Sequence, residues 1–216
     1  MAPSVALVTA IYGDYDVLQP LPDSHGFDRA VCVTDNPHLE AKGWEVQYEP
    51  SEEPAILAAK RPKFRPFDYV TEDIAVWLDG SFLVKDRGWR DFCVDTVDGV
   101  DLVAWPHPES RNCLYQEAEY CQDWPKYSPY DIRGQVDSYR GQGMPERFGL
   151  WACGGLVWAN TEGARSFGEA WLYQVQRWSI QDQISFPYLL WAIKPTFRAF
   201  PAHEFLNPYI DYVGHK

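Results

Sequence analysis

The sequence predicts an α/β domain in which a mostly parallel, twisted central sheet carries helices on both faces. Short apolar runs such as Val5–Ile11 and Asp73–Leu78 have the near-continuous hydrophobicity of strands that are covered on both sides. Segments with helical periodicity lie between and after these runs, as in alternating α/β folds. The chain has 216 residues without a linker-like segment, which predicts one domain over residues 1–216.

The first five strands are predicted from apolar runs that end at turn residues. Val5–Ile11 is the first central strand, and short connections join it to Asp28–Thr34 and Trp44–Tyr48. Asp73–Leu78 is the fourth strand, and Asp101–Trp105 is the fifth. In open α/β sheets the carboxyl ends of such strands form the ligand-binding edge, so residues just after them are candidates for a site.

The first two helices are predicted from capping residues and from apolar spacing. Ser51 precedes two acidic residues and an early proline, a helix start, and Pro62 and Pro66 are expected to end that helix. A second helix is predicted from Glu109 to about Cys121. The chain from there to Gly149 is expected to be rich in loops.

The last third of the chain is predicted to contain one more buried strand and two more helices. Gly155–Ala159 has the apolar pattern of the strand, and Phe167–Trp178 has large apolar residues on one helical face. The final helix covers Ile184–Trp191, and Pro187 is expected to kink it.

The amino-acid composition indicates which ligands and which cellular compartment to expect. Aromatic residues make up 16% of the chain, which favours carbohydrate handling, because sugars stack on flat rings. The formal net charge of −12 disfavours nucleic acid as a partner. The five cysteines show no metal-binding spacing, and neither a signal peptide nor a membrane span is apparent. We therefore expect free, buried thiols and a cytoplasmic protein.

Trp77–Ser81, at the end of the fourth strand, is the most informative segment. A carboxylate after an apolar run is costly to bury unless a cation or another ligand compensates it. We interpret Asp79 as the anchor of a nucleotide-sugar site with a divalent metal, Mn²⁺ or Mg²⁺. Ser81 is a weak ligand where a second carboxylate would be expected, so His203 is predicted to complete the metal site. An Asp that begins a Gly-Ser turn would give the same segment.

Two basic segments are candidates for phosphate or sugar binding. Lys60 and Lys63 lie between the first helix and the strand that ends at Asp79, within reach of a diphosphate there. His107 and Arg111 lie where a strand meets a helix start and are predicted to face the sugar or the phosphates. A solvated helix end and a rigid proline-flanked turn, respectively, are the structural alternatives.

Asp182 is the candidate catalytic base. It begins the last helix directly after the aromatic-rich helix, where the helix dipole stabilises its charge and leaves it able to accept a proton from a sugar hydroxyl. An ordinary first-turn aspartate is the alternative.

Several segments together resemble the mucilage-related family of GT-A-like glycosyltransferases, known mainly from plant cell-wall proteins and from bacterial relatives. The match spans nearly the whole chain, and the HPxxR segment with its downstream YxEA and the DQxSF segment are its specific parts. The matching segments are Val5–Gly13, Thr34–Pro37, Lys60–Lys63, Trp77–Ser81, His107–Arg111 with Tyr115–Ala118, Tyr139–Pro145 and Gln181–Phe186.

The resemblance implies a GT-A-like, Rossmann-like domain and a role for each residue that matches the family pattern. Thr9, Ala10 and Tyr12 would border the nucleotide, while Lys60 and Lys63 would approach the diphosphate.

The resemblance also implies that Asp79 is the metal or donor-sugar residue and that Asp182 is the acceptor-side carboxylate. The chain departs from the plant members at Gln181, where they usually carry Arg, and we expect it to lack their membrane anchor.

The predicted function is the transfer of a hexose from a nucleotide-diphosphate sugar, UDP by family analogy, to a hydroxyl of an unidentified carbohydrate or small molecule. Three alternatives stay open. A nucleotidyl-transfer enzyme of similar fold would carry a glycine-rich signature after the first strand, which Ile11–Tyr15 lacks. A non-catalytic carbohydrate-binding module would explain the aromatic residues alone. A glycosyltransferase acting on modified bases in phage DNA is disfavoured by the acidic charge.

Overall fold

The protein was analysed as a computed structural model that describes residues 2–109 and 111–216. Within these residues, seven strands form the central sheet, and two strands of three residues form a separate ribbon. In chain order the strands are β1 (Val5–Ile11), β2 (Arg29–Thr34), β3 (Glu45–Tyr48), β4 (Ile74–Leu78), β5 (Phe82–Val84), β6 (Leu102–Pro106), β7 (Trp151–Ala159), β8 (Phe197–Ala199) and β9 (Ile210–Tyr212).

The helices lie between these strands, and single 3₁₀ turns occur at Pro66–Asp68 and Pro125–Tyr127. Among the residues described, none of the helices has the length and apolar character needed to cross a bilayer. The helices are α1 (Ala55–Ala58), α2 (Lys60–Phe64), α3 (Gly88–Val97), α4 (Leu114–Gln122), α5 (Ile132–Gly141), α6 (Glu162–Arg177) and α7 (Asp182–Ile193).

The central sheet has the order β3-β2-β1-β4-β7-β6-β8 and is mostly parallel, as predicted. Only β7 runs antiparallel to its neighbours, pairing Leu78 of β4 with Gly155. The carboxyl ends of β1, β2 and β4 therefore meet at one edge, together with the first half of β7. This edge is where an open α/β sheet binds its ligand.

Both faces of the sheet are covered, which explains the continuous apolar runs. Ala6 and Val8 of β1 point into a hydrophobic cluster shared with α4 to α7. Val5 and Leu7 point into a second cluster that includes Trp89 of α3. The predicted placement of helices on both faces is confirmed.

The first predicted helix differs from its prediction at Pro62. The structure has two short helices, and α2 continues through Pro62 before ending at Phe64. Pro62 is the third residue of α2, a position whose backbone N–H has no partner within that helix, so a proline fits. The helix ends before Pro66, which begins a 3₁₀ turn.

The second predicted helix begins later than expected, at Leu114 rather than at Glu109. Backbone hydrogen bonds from His107 N to Leu150 O and from Gly149 N to Asn112 O hold the preceding segment beside the start of β7. Ser110, within that predicted helix, lies outside the described residues.

Other elements were missed by the sequence patterns. The predicted loop before Gly149 contains α5, whose Asp131 caps the helix by accepting a hydrogen bond from Gly134 N at 2.8 Å. Helix α3 and the short strands β5, β8 and β9 were not predicted either. Helix α7 runs from Asp182 to Ile193 and continues through Pro187.

Helix α6 holds α2 close to the sheet edge through a glycine. A Cβ added at Gly168 would lie 1.9 Å from Phe64 O, so only glycine allows the two helices to approach this closely. The Phe64 ring also stacks on Trp171 with centroids 4.3 Å apart.

We expect Gly168→Ala to lower the free energy of unfolding by about 1 to 3 kcal/mol, because it overpacks this contact. Gly141→Ala is the control, since nothing lies within 4 Å of its added Cβ; it should change that free energy by less than about 1 kcal/mol. Urea denaturation of both variants measures the difference. Equal stabilities would show that α2 does not depend on Gly168.

Candidate functional site

A cavity of about 710 Å³ opens at the carboxyl ends of β1 and β4. Its volume lies within the range of small-molecule sites in proteins. Residues of its wall include Ala10, Tyr12, Asp16, Lys60, Lys63, Asp79, Ser81, Tyr127, Cys153, Gly154, Gln181, Asp182, Gln183 and Glu204.

Two lysines and two carboxylates form a connected ion cluster on the cavity wall. The Lys63 side chain is 3% exposed, and its Nζ lies 3.1 Å from Asp79 Oδ1 and 2.7 Å from Asp182 Oδ2. Lys60 Nζ lies 2.6 Å from the same oxygen of Asp182. The structure thus brings together four of the residues that the sequence analysis selected.

Electrostatic interactions within the cluster keep Lys63 and Asp182 ionised. Burial opposes the charge of Asp182, but the ammonium groups of Lys60 and Lys63 outweigh burial and hold the pKa of Asp182 well below its usual range. Burial likewise opposes the charge of Lys63, yet the carboxylates of Asp182 and Asp79 raise the pKa of Lys63 above its usual range. Both buried groups therefore stay ionised across neutral pH.

Asp79 keeps one carboxylate oxygen available. Its Oδ1 accepts hydrogen bonds from Lys63 Nζ and from Trp77 Nε1, the latter at 2.6 Å. Its backbone N–H donates to Gly154 O, which joins the end of β4 to β7. Within the described part of the chain, Oδ2 has no hydrogen-bond partner, and the side chain is 32% exposed. That oxygen can meet a ligand in the cavity.

Glu204 places a further carboxyl group on the cavity wall, and the sequence analysis missed it. The residue is 8% exposed, and no described residue hydrogen-bonds to its Oε2. Burial, followed by the negative charge of Asp79, raises the pKa of Glu204 to about 8. An uncompensated buried carboxyl group of this kind is costly and often marks a functional site.

These residues fit a metal only if a substrate supplies further ligands. No group of three or more His, Cys, Asp or Glu side chains suited to a metal occurs among residues 2–109 and 111–216. Asp79 offers a carboxylate to the cavity, and Glu204 offers a carboxyl group that must lose its proton to bind a cation, because its pKa is raised to about 8. One or two carboxylates together with substrate phosphates are the usual ligands of Mg²⁺ in phosphate sites.

His203, the predicted second metal ligand, is not among the residues that line the cavity. Its Nδ1 accepts a hydrogen bond from Phe205 N at 3.3 Å, and its ring packs on the Phe205 ring. Thr9, predicted to border the nucleotide, is 2% exposed and lies outside the wall as well. Ala10 and Tyr12 do line it.

His107 and Arg111 lie outside the cavity wall too. Arg111 Nε donates to Glu117 Oε2 at 2.9 Å, and its guanidinium also contacts Glu109. Glu117 Oε1 in turn accepts a hydrogen bond from Gln181 Nε2 at 2.8 Å. Arg111 therefore supports, through Glu117, the residue that precedes Asp182.

The C-terminal segment closes one side of the cavity mouth. Strand β9 pairs with β5, the strand that follows Asp79, and Val213 N donates to Ser81 O. His215 Nδ1 lies 2.9 Å from Asp16 Oδ1 across the mouth. Around this segment Tyr15, Phe205 and Tyr212 expose about half of their surface.

Comparisons with known proteins support the fold. No protein-family model and no curated protein matches the sequence. Among solved structures, the chain is similar to CMP:2-keto-3-deoxy-manno-octonic acid synthetase complexed with CTP, with a TM-score of 0.50 and 11% identity over 91% of this chain and 89% of that one.

Two further solved structures match with a TM-score of 0.49. One is mouse xyloside xylosyltransferase 1 in its apo form, at 10% identity over 92% of this chain and 84% of that chain. The other is a mycobacterial protein, at 13% identity over 95% of this chain and 68% of that chain. At these identities only the fold of the synthetase is informative, and it is a Rossmann-like α/β fold, as here.

The ion cluster makes a testable contribution to stability. Lys63→Met leaves Asp79 and Asp182 without their shared buried cation, so we expect the free energy of unfolding to fall by about 3 to 5 kcal/mol. Lys60→Met is the matched control: Lys60 is 15% exposed, and Asp182 keeps Lys63 when it is removed. Chemical denaturation should show a clearly smaller loss for Lys60→Met. Equal losses would contradict a central role for Lys63.

Proposed function

We propose that this protein is a glycosyltransferase that moves a hexose from a nucleotide-diphosphate sugar, UDP-sugar in the first instance, to a hydroxyl of a carbohydrate or small-molecule acceptor. The observation that carries the proposal is the ion cluster of Lys60, Lys63, Asp79 and Asp182 in a cavity of about 710 Å³ at the carboxyl edge of the sheet.

The cluster has the charges that a sugar diphosphate requires. Lys60 and Lys63 present two ammonium groups, which bind phosphate oxygens strongly in a partly desolvated site. Their present partners are carboxylates, so a diphosphate can take their place as the anion that faces the lysines. The lysines would then stabilise the negative charge that develops on the leaving diphosphate.

A divalent metal held by Asp79 and Glu204 would supply further positive charge to the leaving diphosphate when bound. Asp79 has a free oxygen toward the cavity, and Glu204 has an unpartnered one. Ala10 lies in β1, and Tyr12 directly follows that strand. Both residues line the part of the cavity where the nucleotide is proposed to lie.

Asp182 is proposed to act on the acceptor hydroxyl, and the ion cluster sets a condition on that role. The ammonium groups of Lys60 and Lys63 hold the pKa of Asp182 well below its usual range, so the carboxylate is a weak base. It becomes more basic if Lys60 and Lys63 turn toward a bound diphosphate. Donor binding would thus precede activation of the acceptor.

The acceptor is proposed to enter past the aromatic side chains at the cavity mouth. Tyr15, Phe205 and Tyr212 are each about half exposed there, and Tyr212 packs against Phe205 with centroids 5.6 Å apart. Flat rings of this kind suit the apolar face of a sugar.

Membership in the mucilage-related family is part of the proposal. The segments that carry the resemblance contribute Lys60, Lys63, Asp79 and Asp182 to one cavity. At the position where plant members usually carry Arg, the Gln181 amide donates to Glu117, a carboxylate that Arg111 already pairs with.

Nucleotidyl transfer to a sugar acid is the second candidate, and the fold shared with a synthetase solved in complex with CTP favours it. The turn after β1 disfavours it, because Ile11–Tyr15 contains one glycine, Gly13, rather than a glycine-rich phosphate loop. Pyrophosphate release from CTP with a sugar acid would identify this activity, whereas UDP release from a UDP-hexose would identify glycosyl transfer.

The donor site can be tested with Asp79→Asn, which keeps the size of the side chain and removes its charge. In the presence of Mn²⁺ we expect UDP affinity and UDP-hexose hydrolysis to fall by about tenfold or more. Isothermal titration and UDP release measure the two quantities. Asp95→Asn on α3 is the control, because Asp95 is exposed and lies outside the cavity wall. Wild-type values for Asp79→Asn would overturn the donor-site assignment.

The acceptor role can be tested with Asp182→Asn and a sugar acceptor found by screening. We expect UDP affinity to stay the same or rise, because Asp182 no longer competes for the two lysines, while the transfer rate falls by roughly 10²-fold or more, the scale of a lost general base. Thermal unfolding must be followed in parallel, because two ammonium groups lose a counter-charge. Loss of UDP binding in a folded variant would place Asp182 in the donor site instead.

A further inference from the structure

We infer that Tyr120, Trp124 and Lys126, at the end of helix α4 and just after it, form a subsite at the rim of the cavity that binds an anionic sugar unit of the acceptor. We call these three residues the rim subsite. The inference rests on the proposed function, since it specifies the chemical class of the acceptor in the proposed transfer.

The first support is the unpaired charge of Lys126. Among the described residues, Lys126 is one of four basic residues on the cavity wall, and the other three, Lys60, Lys63 and His215, each contact a carboxylate. Lys126 is exposed, and its ammonium group forms neither a salt bridge nor a hydrogen bond with any residue that the structure describes. Its three N–H donors are therefore available to an anionic ligand.

The second support is the pair of aromatic rings beside this charge. Trp124 and Tyr120 are 46% and 45% exposed, and their ring centroids lie 5.8 Å apart. Lys126 Nζ lies 6.0 Å from the centroid of the Trp124 ring and 4.8 Å from that of Tyr127. An exposed indole face suits the apolar face of a sugar ring, and the neighbouring ammonium suits an anionic substituent on that sugar.

The third support is that the local backbone fixes the turn that carries these side chains. Trp124 N donates to Cys121 O in α4, and Tyr127 N donates to Trp124 O. The turn Pro125–Tyr127 is a 3₁₀ turn that begins with proline, whose fixed φ angle suits this position. Trp124 and Lys126 are thus presented by an ordered backbone, which lowers the entropy lost when a ligand binds.

The position of the rim subsite favours the acceptor over the donor. Lys126 and Tyr127 line the cavity together with Asp182, the residue proposed to act on the acceptor. Burial raises the pKa of Tyr127 above its usual range, and the nearby Asp182 carboxylate adds to the shift. The side chains of Lys60 and Lys63, proposed for the diphosphate, are only 15% and 3% exposed, whereas Lys126 faces the solvent side of the cavity.

The charge of the whole chain favours an anionic rather than a neutral ligand at Lys126. Acidic residues outnumber basic ones, 31 Asp and Glu against 19 Lys and Arg. In such a chain, a lysine on a cavity wall that no carboxylate neutralises offers local positive charge to a ligand, although the overall field repels anions.

The test compares acidic with neutral sugars on the full chain in the presence of UDP, which is proposed to occupy Lys60 and Lys63. The probes are a glucuronic acid tetrasaccharide against the corresponding glucose tetrasaccharide, and glucose 6-phosphate against glucose. NMR titration gives the dissociation constants. We expect at least one acidic sugar to bind about tenfold or more tightly than its neutral counterpart, the scale of a hydrogen bond between charged groups.

We expect Lys126→Gln to remove this preference while leaving the affinity for the neutral sugars unchanged. Lys194→Gln is the matched control, because Lys194 is an exposed lysine outside the cavity wall. Trp124→Ala should weaken the binding of acidic and neutral sugars alike, by about threefold or more. Trp124→Phe keeps a flat ring and should retain part of the affinity, which covers the case in which the alanine variant folds poorly.

A wild-type protein that prefers neither acidic sugar, or that binds none of the four probes, would overturn the inference. A Lys126→Gln variant that keeps the preference would do the same. Tighter binding of a short single-stranded DNA than of either acidic sugar would assign the rim subsite to nucleic acid instead.

UDP titrations separate the rim subsite from the donor site. We expect Lys126→Gln to bind UDP as the wild type does, and a loss of about tenfold would place Lys126 at the donor diphosphate and overturn the inference. None of these results removes the proposed use of a nucleotide-sugar donor. That part of the proposed function fails separately, if the wild-type protein binds none of UDP, CDP, ADP and GDP.

Discussion

The buried ammonium of Lys63 is the constraint on which the site depends. It joins a carboxylate at the end of β4 to a carboxylate at the start of α7, and its own helix packs on Gly168 of α6. A buried charge of this kind is tolerated only while its partners stay in place. Lys63 thus links the end of β4 to the start of α7. The same cation is the group that a diphosphate in the cavity would meet.

Residues near the cavity were predictable where local rules determined their position. Asp79 follows a buried strand and Asp182 begins a helix, so each had a recognisable place in the sequence. Glu204 had none, because its position depends on the return of the chain through β9, a strand of three residues that pairs with β5. Helix α5 escaped prediction because Gly134 lies in its first turn, although the capping Asp131 was a usable signal.

The fold itself was largely predictable, since continuous apolar runs follow from burial on both faces of a parallel sheet. Tertiary contacts decided the boundaries that patterns missed. A backbone hydrogen bond from Gly149 N, just before β7, to Asn112 O keeps Asn112 out of the helix that was predicted to begin at Glu109. In the HPxxR segment, Arg111 supports Gln181 through Glu117 rather than facing the cavity. A motif residue can thus support a site without lining its cavity.

A crystal structure of the protein with UDP and Mn²⁺ tests the central claim most directly. If the ion cluster is the diphosphate site, phosphate oxygens should lie within hydrogen-bonding distance of Lys60 Nζ and Lys63 Nζ, and the contact between Lys60 and Asp182 should lengthen from its present 2.6 Å. A nucleotide bound elsewhere, with both lysines still paired to Asp182, would contradict it.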